Sequence, residues 1–525
     1  MSQSTVVAGA LLCAFACFAP AMAHDKVQPP KPVVGDLGET TFPNSGAAAA
    51  QPDFMRGLLL LHSFEFDAAR AAFRAAIARD PGFVMAFWGE ALSYNMPIWG
   101  EQDLLAARAV LARLAPTREE RLAKAPTERE RLYLAAVEDL YGDGDKVDRD
   151  AAYNEALGEL SRKYPDDLDA RSFYALSWLG LTGAVRDTAN YMRAAAEAEA
   201  VYEVNRRHPG ALHYLVHAYD DPVHAPLGLR AARLYGKVAP AASHAQHMPS
   251  HIFFALGMWD DAIEANVASL ATARSQGQGG YHPLEWLAYA YLQKGQQQEA
   301  VKLVAIVEQD VAKGASQANR SALAYLRAMW IAETGGAAGV DAWPDLNEAG
   351  IAWIYPFSAQ DFTRGLAAAR QGRFEEAKRY VERLRERTER ARNHAVGVVA
   401  SRYDTVTPEE IEQGGLLAIA LEGAIQCAQG EQEAGLARVR EAIAISDTLA
   451  FEYGPPFAAK PLAELLGDLL LAAGKPDEAA VAYGNSLAVH PNRKLSMEGL
   501  TAARAASWAC RHCEKGAGVT VTAPE

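Results

Sequence analysis

The chain has 525 residues, 50% of them hydrophobic and 22% charged, with a formal net charge of −14. That length exceeds what one compact core accommodates, which leaves several domains or a repeat array. The apolar content excludes disorder throughout, and the acidic balance argues against a surface that tracks nucleic-acid phosphates.

In chain order, Val6 to Phe18 is a short apolar run, followed by Ala21-Met22-Ala23 with small residues where a signal peptidase cuts. Residues 1–23 therefore read as a signal peptide, although the basic n-region is missing. The run is short for a bilayer span, and no later apolar stretch reaches membrane length. The mature chain is expected to be exported to a periplasm, monomeric and without a membrane span. Cys17 follows Ala14-Phe15-Ala16, a poor lipoprotein box. Cleavage would expose His24 at the start of a Pro-, Gly- and Ala-rich stretch, 24–51, that reads as a flexible linker.

Periodicity is the strongest signal beyond that point. Gly57, Ala69, Phe73 and Pro81 recur as Gly467, Ala479, Tyr483 and Pro491, with Ala76 a further small residue in the first copy and Gly474 a further glycine in the last. Weaker copies are marked by Gly257 with Ala262, by Gly295 with Ala300, and by Gly365, Gly372 and Ala377. Small residues let two antiparallel helices approach, the aromatic fills the space between them, and proline ends the second helix. The pattern resembles the 34-residue tetratricopeptide repeat (TPR), with small residues at positions 8 and 27, Gly at 15, Ala at 20, an aromatic at 24 and Pro at 32. Departures are Phe64 at position 15 of the first copy and Ser486 at position 27 of the last. The expected fold is an all-α, right-handed solenoid of antiparallel helix pairs in two lobes, 52–334 and 346–508, followed by a tail, 509–525. Breaks with linker character are expected near Ala115–Thr127, Gly335–Pro344 and Val396–Gly415. TPR solenoids bind peptides or proteins in a concave groove, so the resemblance implies an interaction scaffold.

One region departs from that reading. Between His213 and His251 lie six of the chain's 13 histidines: His213, His217, His224, His244, His247 and His251. With Pro240 at position 32, His213 and His217 take positions 5 and 9, and Asp220 and Asp221 positions 12 and 13. With Gly257 at position 15, His244, His247 and His251 take positions 2, 5 and 9. The Gly295 frame puts His282 at 2 and Glu285 at 5. In the TPR family, positions 2, 5, 9, 12 and 13 of the first helix face the groove. His-x3-His puts two imidazoles on one helical face, and imidazole with carboxylate suits Zn, Cu, Fe or Mn. His213, His217, Asp220, Asp221, His244, His247, His251, His282 and Glu285 are thus candidate metal ligands. The zinc-protease motif is absent, because Tyr214 stands where it requires Glu. The same residues could instead line a His- and Asp-rich groove for a protein, peptide or small ligand, or pack against one another. The run His247-Met248-Pro249-Ser250-His251-Ile252-Phe253, within His208 to Asn266, resembles exported bacterial TPR proteins of unassigned function, a likeness that adds no catalytic role.

Other candidates are weaker. Trp88, Glu90, Tyr94, Asn95, Met96, Trp99 and Glu101 read as aromatics at a helix end or as a second groove wall, where Glu90 could reach a metal. Trp353, Tyr355 and Phe357 read as a lobe boundary. Lys378 to Arg392 reads as a solvated helical face. Cys427 reads as a buried small hydrophobe. Cys510 and Cys513 form a CxxC that could be a disulfide, a soft-metal site or a redox pair. No phosphate loop, dinucleotide fingerprint or nucleophile elbow is present.

Overall fold

The computed structural model describes residue 33 and residues 35–181, 186–336, 343–349, 354–395, 406–449 and 454–516; the side chains of 394, 395 and 510–516 are not described. The expected signal peptide, His24 and Trp353 fall outside these residues, as do the Cys510 and Cys513 side chains. The fold is an all-α helical repeat. Helical hairpins such as Gln51–His62 with Phe66–Arg79 and Leu168–Gly180 with Thr188–Val204 stack in chain order through to Leu462–Ala472 with Pro476–Val489. Asn95–Met96 pairs antiparallel with Glu101–Gln102 in a two-residue ribbon that the sequence pattern did not suggest. No helix among the described residues is long and apolar enough to cross a membrane.

The repeat signature has a direct steric meaning. The fully buried Phe73 ring lies between Gly57 of its own repeat and Gly89 of the next helix. A Cβ would meet that ring at 2.8 Å from Gly57 and at 2.4 Å from Gly89. The last repeat repeats the arrangement: Tyr483 lies between Gly467 and Gly499, where a Cβ would come within 2.8 and 2.3 Å. Protein interiors are too densely packed to absorb such overlaps, so small residues on both flanking helices set how closely the hairpins stack.

Two expected breaks are partly helical. Thr117 and Glu120 form a capping box that starts Arg118–Ala123, and Thr407 with Glu410 does the same for Pro408–Ala428. Reciprocal capping satisfies orphan N–H groups and lets a short or polar segment begin a helix. The stretch expected as a linker is packed from Gly35 onward. Leu37 and Phe42 are buried, and the Phe42 ring meets Phe54, Trp88 and Tyr133. Glu39 N–H donates to the Arg207 carbonyl, and Asp36 accepts from Ala241 N–H, so the segment runs as a strap along several repeats. The charged run in Phe374–Ala395 is likewise not wholly solvated, since Arg387 is buried between Asp361 and Glu348 at 2.6 Å each.

The C-terminal repeat folds back onto the middle of the array. Trp259 Nε1–H donates to the Asn492 carbonyl, and Lys494 N–H donates to Gln293. Between them Arg493, fully buried, pairs with Glu464 at 2.7 Å and Glu333 at 2.6 Å and donates to the Tyr289 hydroxyl. Lys460 adds a second cation to Glu464 at 2.7 Å. Removing one partner from a buried charge network leaves the others uncompensated. Arg493→Met is expected to lose about 3–5 kcal/mol of stability, measurable as a lowered urea midpoint relative to the unaltered chain.

Candidate metal centre

The histidines occupy the first helices of three consecutive hairpins. His213 and His217 lie on Pro209–Ala218, one turn apart. His244 and His247 lie on Ser243–His247, and His251 on Pro249–Ala255. Pro249 has no N–H to return to Ala245, which interrupts this helix. Met248 nevertheless keeps helical dihedrals, φ −51° and ψ −37°, so the three rings stay on one face. His282 begins the third hairpin on Tyr281–Gln293.

Six imidazoles meet where these helices pack. In one group, His213 Nε2 lies 3.1 Å from His217 Nε2 and 3.1 Å from His244 Nε2. In the other, His247 Nε2 lies 3.2 Å from His251 Nε2, and His282 completes a set with ligand atoms within 4.8 Å of one another. A tetrahedral ion bound at about 2.0–2.1 Å holds its nitrogens roughly 3.3–3.4 Å apart, so these gaps are close to what an ion requires. His213, His217 and His247 are buried, His244 and His251 are half-buried, and His282 is exposed at the mouth.

The opposite ring nitrogens determine where the hydrogens are. His213 Nδ1–H donates to the His62 carbonyl at 2.7 Å. His251 Nδ1–H donates to Asp220 Oδ2 at 2.5 Å. His247 Nδ1 meets Asn266 Oδ1 at 2.7 Å, and the Asn266 amide is oriented by its Nδ2–H donating to the Ala262 carbonyl. In their neutral forms His213, His247 and His251 therefore present bare Nε2 lone pairs to the cluster. Two of them, on His247 and His251, point at each other. Burial, and next the neighbouring imidazoles, lower the basicity of His213, His217 and His244 well below the ordinary value. Burial followed by His282 and His251 does the same to His247. Neutral imidazole with its other nitrogen held by a carbonyl or carboxylate is the metal-binding state of histidine.

Each group has an aromatic wall. Trp286 packs against His251 at 4.3 Å and His247 at 5.0 Å between ring centroids. Phe64 packs against His213 at 4.2 Å, and against His244 and His217 at 5.6 and 5.8 Å. Phe64 occupies the repeat position where Gly257 and Gly474 take the left-handed cap with φ of 64° and 72°, and its own φ is 55°. A bulky side chain in that region costs on the order of 1–3 kcal/mol. The strain sits in the residue that walls the first histidine group.

The other expected residues separate from the two groups. Asp220 acts through His251 Nδ1. Asp221 pairs with Arg186 and with His224, both at 2.8 Å, and so ties down the turn after the first histidine helix. Glu285 lies one turn along from His282, where desolvation pushes its carboxyl up to about 8; it is not in either set. Glu90 is paired with Arg74 and Arg113 and is therefore a structural carboxylate, not a ligand.

Several participants were not anticipated from sequence. Glu65, buried, accepts from the His244 backbone N–H at 3.2 Å and caps that helix. Asn266 and the His62 carbonyl orient ligand rings. His62 belongs to a fully buried set with Asp169 and His208: His62 Nε2–H donates to Asp169 Oδ1 at 2.8 Å, and His208 Nε2 stands 3.4 Å from the same oxygen. Tyr214 lies 2.9 Å from His62 Nδ1, and Thr40 donates to Asp169 Oδ2 at 2.7 Å. Burial opposes the Asp169 charge, but contacts with His208 and His62 outweigh it and hold the carboxyl below the usual range. This set holds the end of the helix whose last carbonyl orients His213.

No protein-family model matches the chain, and no curated protein matches it. Solved structures that resemble it include the Cut9–Hcn1 hetero-tetramer of the APC/C, 12% identical over 89% of this chain and 78% of that one, with a TM-score of 0.33. Yeast Tom70 is 10% identical over 88% and 89%, with a TM-score of 0.29. The P58(IPK) TPR domain is 11% identical over 88% and 99%, with a TM-score of 0.22. The TPR-like description of the fold rests on its own hairpins and their packing register.

Asp169→Ala is expected to leave the buried His62 donor unpaired, a cost of about 1–3 kcal/mol, while the half-buried Thr40 hydroxyl can turn to solvent. Chemical denaturation of the variant checks it; an unchanged midpoint would show that the set holds nothing in place.

Proposed function

We propose that this protein binds a transition metal through the imidazoles of its groove, and that it does so as an exported helical-repeat protein. The observation that carries the reading is the 3.2 Å approach of His247 Nε2 to His251 Nε2 while both rings commit their Nδ1 hydrogens elsewhere. Two lone pairs held face to face repel, and a cation between them converts that repulsion into coordination. A proton could serve the same end, but burial and the adjacent imidazoles disfavour an imidazolium at His247.

The donor set narrows the ion. Imidazole suits Cu, Zn, Ni and Co, and three nitrogens leave a coordination position for water, a substrate or a partner's side chain. Calcium and magnesium require oxygen ligands that these rings do not offer. Export is supported by the apolar run ending in Ala21-Met22-Ala23. A helical-repeat groove that holds a partner or small ligand is the coarser reading of the same architecture; the imidazoles add metal chemistry to it.

The test uses the full chain without a polyhistidine tag, equilibrated with Zn(II) or Cu(II), desalted and assayed by elemental analysis. Retained metal that is lost in the His213→Ala/His247→Ala variant, with the far-ultraviolet circular dichroism unchanged, is the expected result. A chain that emerges metal-free from both ions sinks the proposal.

Asp220 provides a finer check, because it touches a ring and not the ion. Asp220→Ala should weaken metal affinity by roughly 10–100-fold, the usual cost of removing a carboxylate behind a ligating histidine. Competition with a chromophoric chelator measures it.

A further inference from the structure

We infer that the groove holds two ions, one in each of two three-histidine sites related by the repeat, and not a single ion shared by six rings. This deepens the metal reading and rests on it.

The argument begins with register. The first site takes His213 and His217 from positions 5 and 9 of one repeat and His244 from position 2 of the next. The second takes His247 and His251 from positions 5 and 9, and His282 from position 2 of the repeat after that. His213 to His247 and His217 to His251 are both 34 residues, one full repeat. His244 to His282 is 38, and the extra length is taken up by the hairpin between them. Its second helix, Trp259–Ser275, has 17 residues where Ala225–Val238 has 14. The two sites are thus copies of one another displaced by the stacking step of the array.

Distances separate the copies. Within the first site the Nε2 atoms approach to 3.1 Å. The metal-capable nitrogens fall into two separate sets, His213 with His217 and His244, and His247 with His251 and His282, each with its ligand atoms within 4.8 Å of one another; across the boundary the position-9 rings of His217 and His251 have centroids 6.0 Å apart. The nitrogens gather in threes and not as one group of six, which is the arrangement that two ions with bonds of about 2.0–2.1 Å require. The supporting groups are also separate. The first site has the His62 carbonyl and the Phe64 wall; the second has Asp220, Asn266 and the Trp286 wall. Neither set of supports is a repeat copy of the other, so each ring cluster is held in place by its own neighbourhood.

The stacking step then sets the spacing of the ions. Equivalent rings 6.0 Å apart on the inner curve put the ions at a comparable separation. That is longer than the roughly 3.5–4 Å of a centre bridged by a single oxygen. The two sites are expected to load independently, with late first-row ions that accept three neutral nitrogens. The frame stops there: in the next repeat positions 5 and 9 are Glu285 and Tyr289, which do not continue the all-imidazole pattern.

The experiment counts ions in the full chain after equilibration with excess Cu(II) and gel filtration. His244→Gln and His282→Gln serve as variants, since each lies at the rim and removes one nitrogen from one site. Two ions per wild-type chain are expected, falling to one tight ion in each variant. The fully loaded protein should show dipolar broadening and a half-field signal in its Cu(II) electron paramagnetic resonance, and each singly loaded variant should show neither. One ion per wild-type chain, weakened by both variants alike, would overturn the two-site inference and leave the metal reading in place. No retained ion would overturn both.

Discussion

The close approach of neighbouring hairpins is the constraint on which everything else depends, and in the first and last repeats it is limited by an aromatic ring wedged between two glycines. Phe73 and Tyr483 each sit 16 residues from a glycine on either side. That spacing fixes both the depth of the hairpin contact and the phase of the next first helix. Once the phase is fixed, side chains at the same repeat position line up from one first helix to the next. Imidazoles at positions 5 and 9 then fall beside those of the following repeat. The histidine geometry is a consequence of repeat packing, not a separately arranged feature.

Phe64 shows where this regularity gives way. The position asks for a residue that tolerates the left-handed region, and glycine does so without cost. Here a phenylalanine takes it, and its ring packs against His213, His217 and His244. The chain keeps the cap geometry and accepts strain to put an apolar plate against the site. Such a plate lowers the local dielectric and opposes protonation of the rings it covers. Ala459 and Asn492 take the same left-handed region elsewhere in the array, with φ of 58° and 57°, but Phe64 is the bulkiest of the three and so carries the largest strain.

How much of this was legible in the sequence follows from the same geometry. The hairpins were readable because the signature residues are steric and local: a glycine too close to a ring, a proline past a helix end. The alignment of His213 with His247 and of His217 with His251 was readable because it needs only the repeat length. His62 was within reach of the same rule, since Gly57 at position 8 makes it position 13, a groove-facing place. Asn266, Glu65 and Asp169 were not. They come from second helices, a cap residue and a distant repeat, and reach the site through tertiary contacts that carry no period. The strap from Gly35 was hidden by its composition, because proline and glycine mark irregular backbone without saying whether Leu37 and Phe42 beside them are buried. The segment at 115–127 was misread for the opposite reason: its capping box was present in the sequence but was outweighed by its polar character.

Two buried polar assemblies can be compared to see what the histidines require. Around Arg493, every charge meets an opposite one: a guanidinium and an ammonium face Glu464, Glu333 and Asp468. The network joins the C-terminal repeat to the middle of the array through paired charges. The second histidine group is built differently. Its hydrogens are drawn outward, to Asn266 and Asp220, and its acceptors are turned inward against each other. The Trp286 ring packs against both of them. A positive centre that carries no hydrogen and accepts several nitrogens at once would complete an assembly of this kind, which is why the proposed ion suits it.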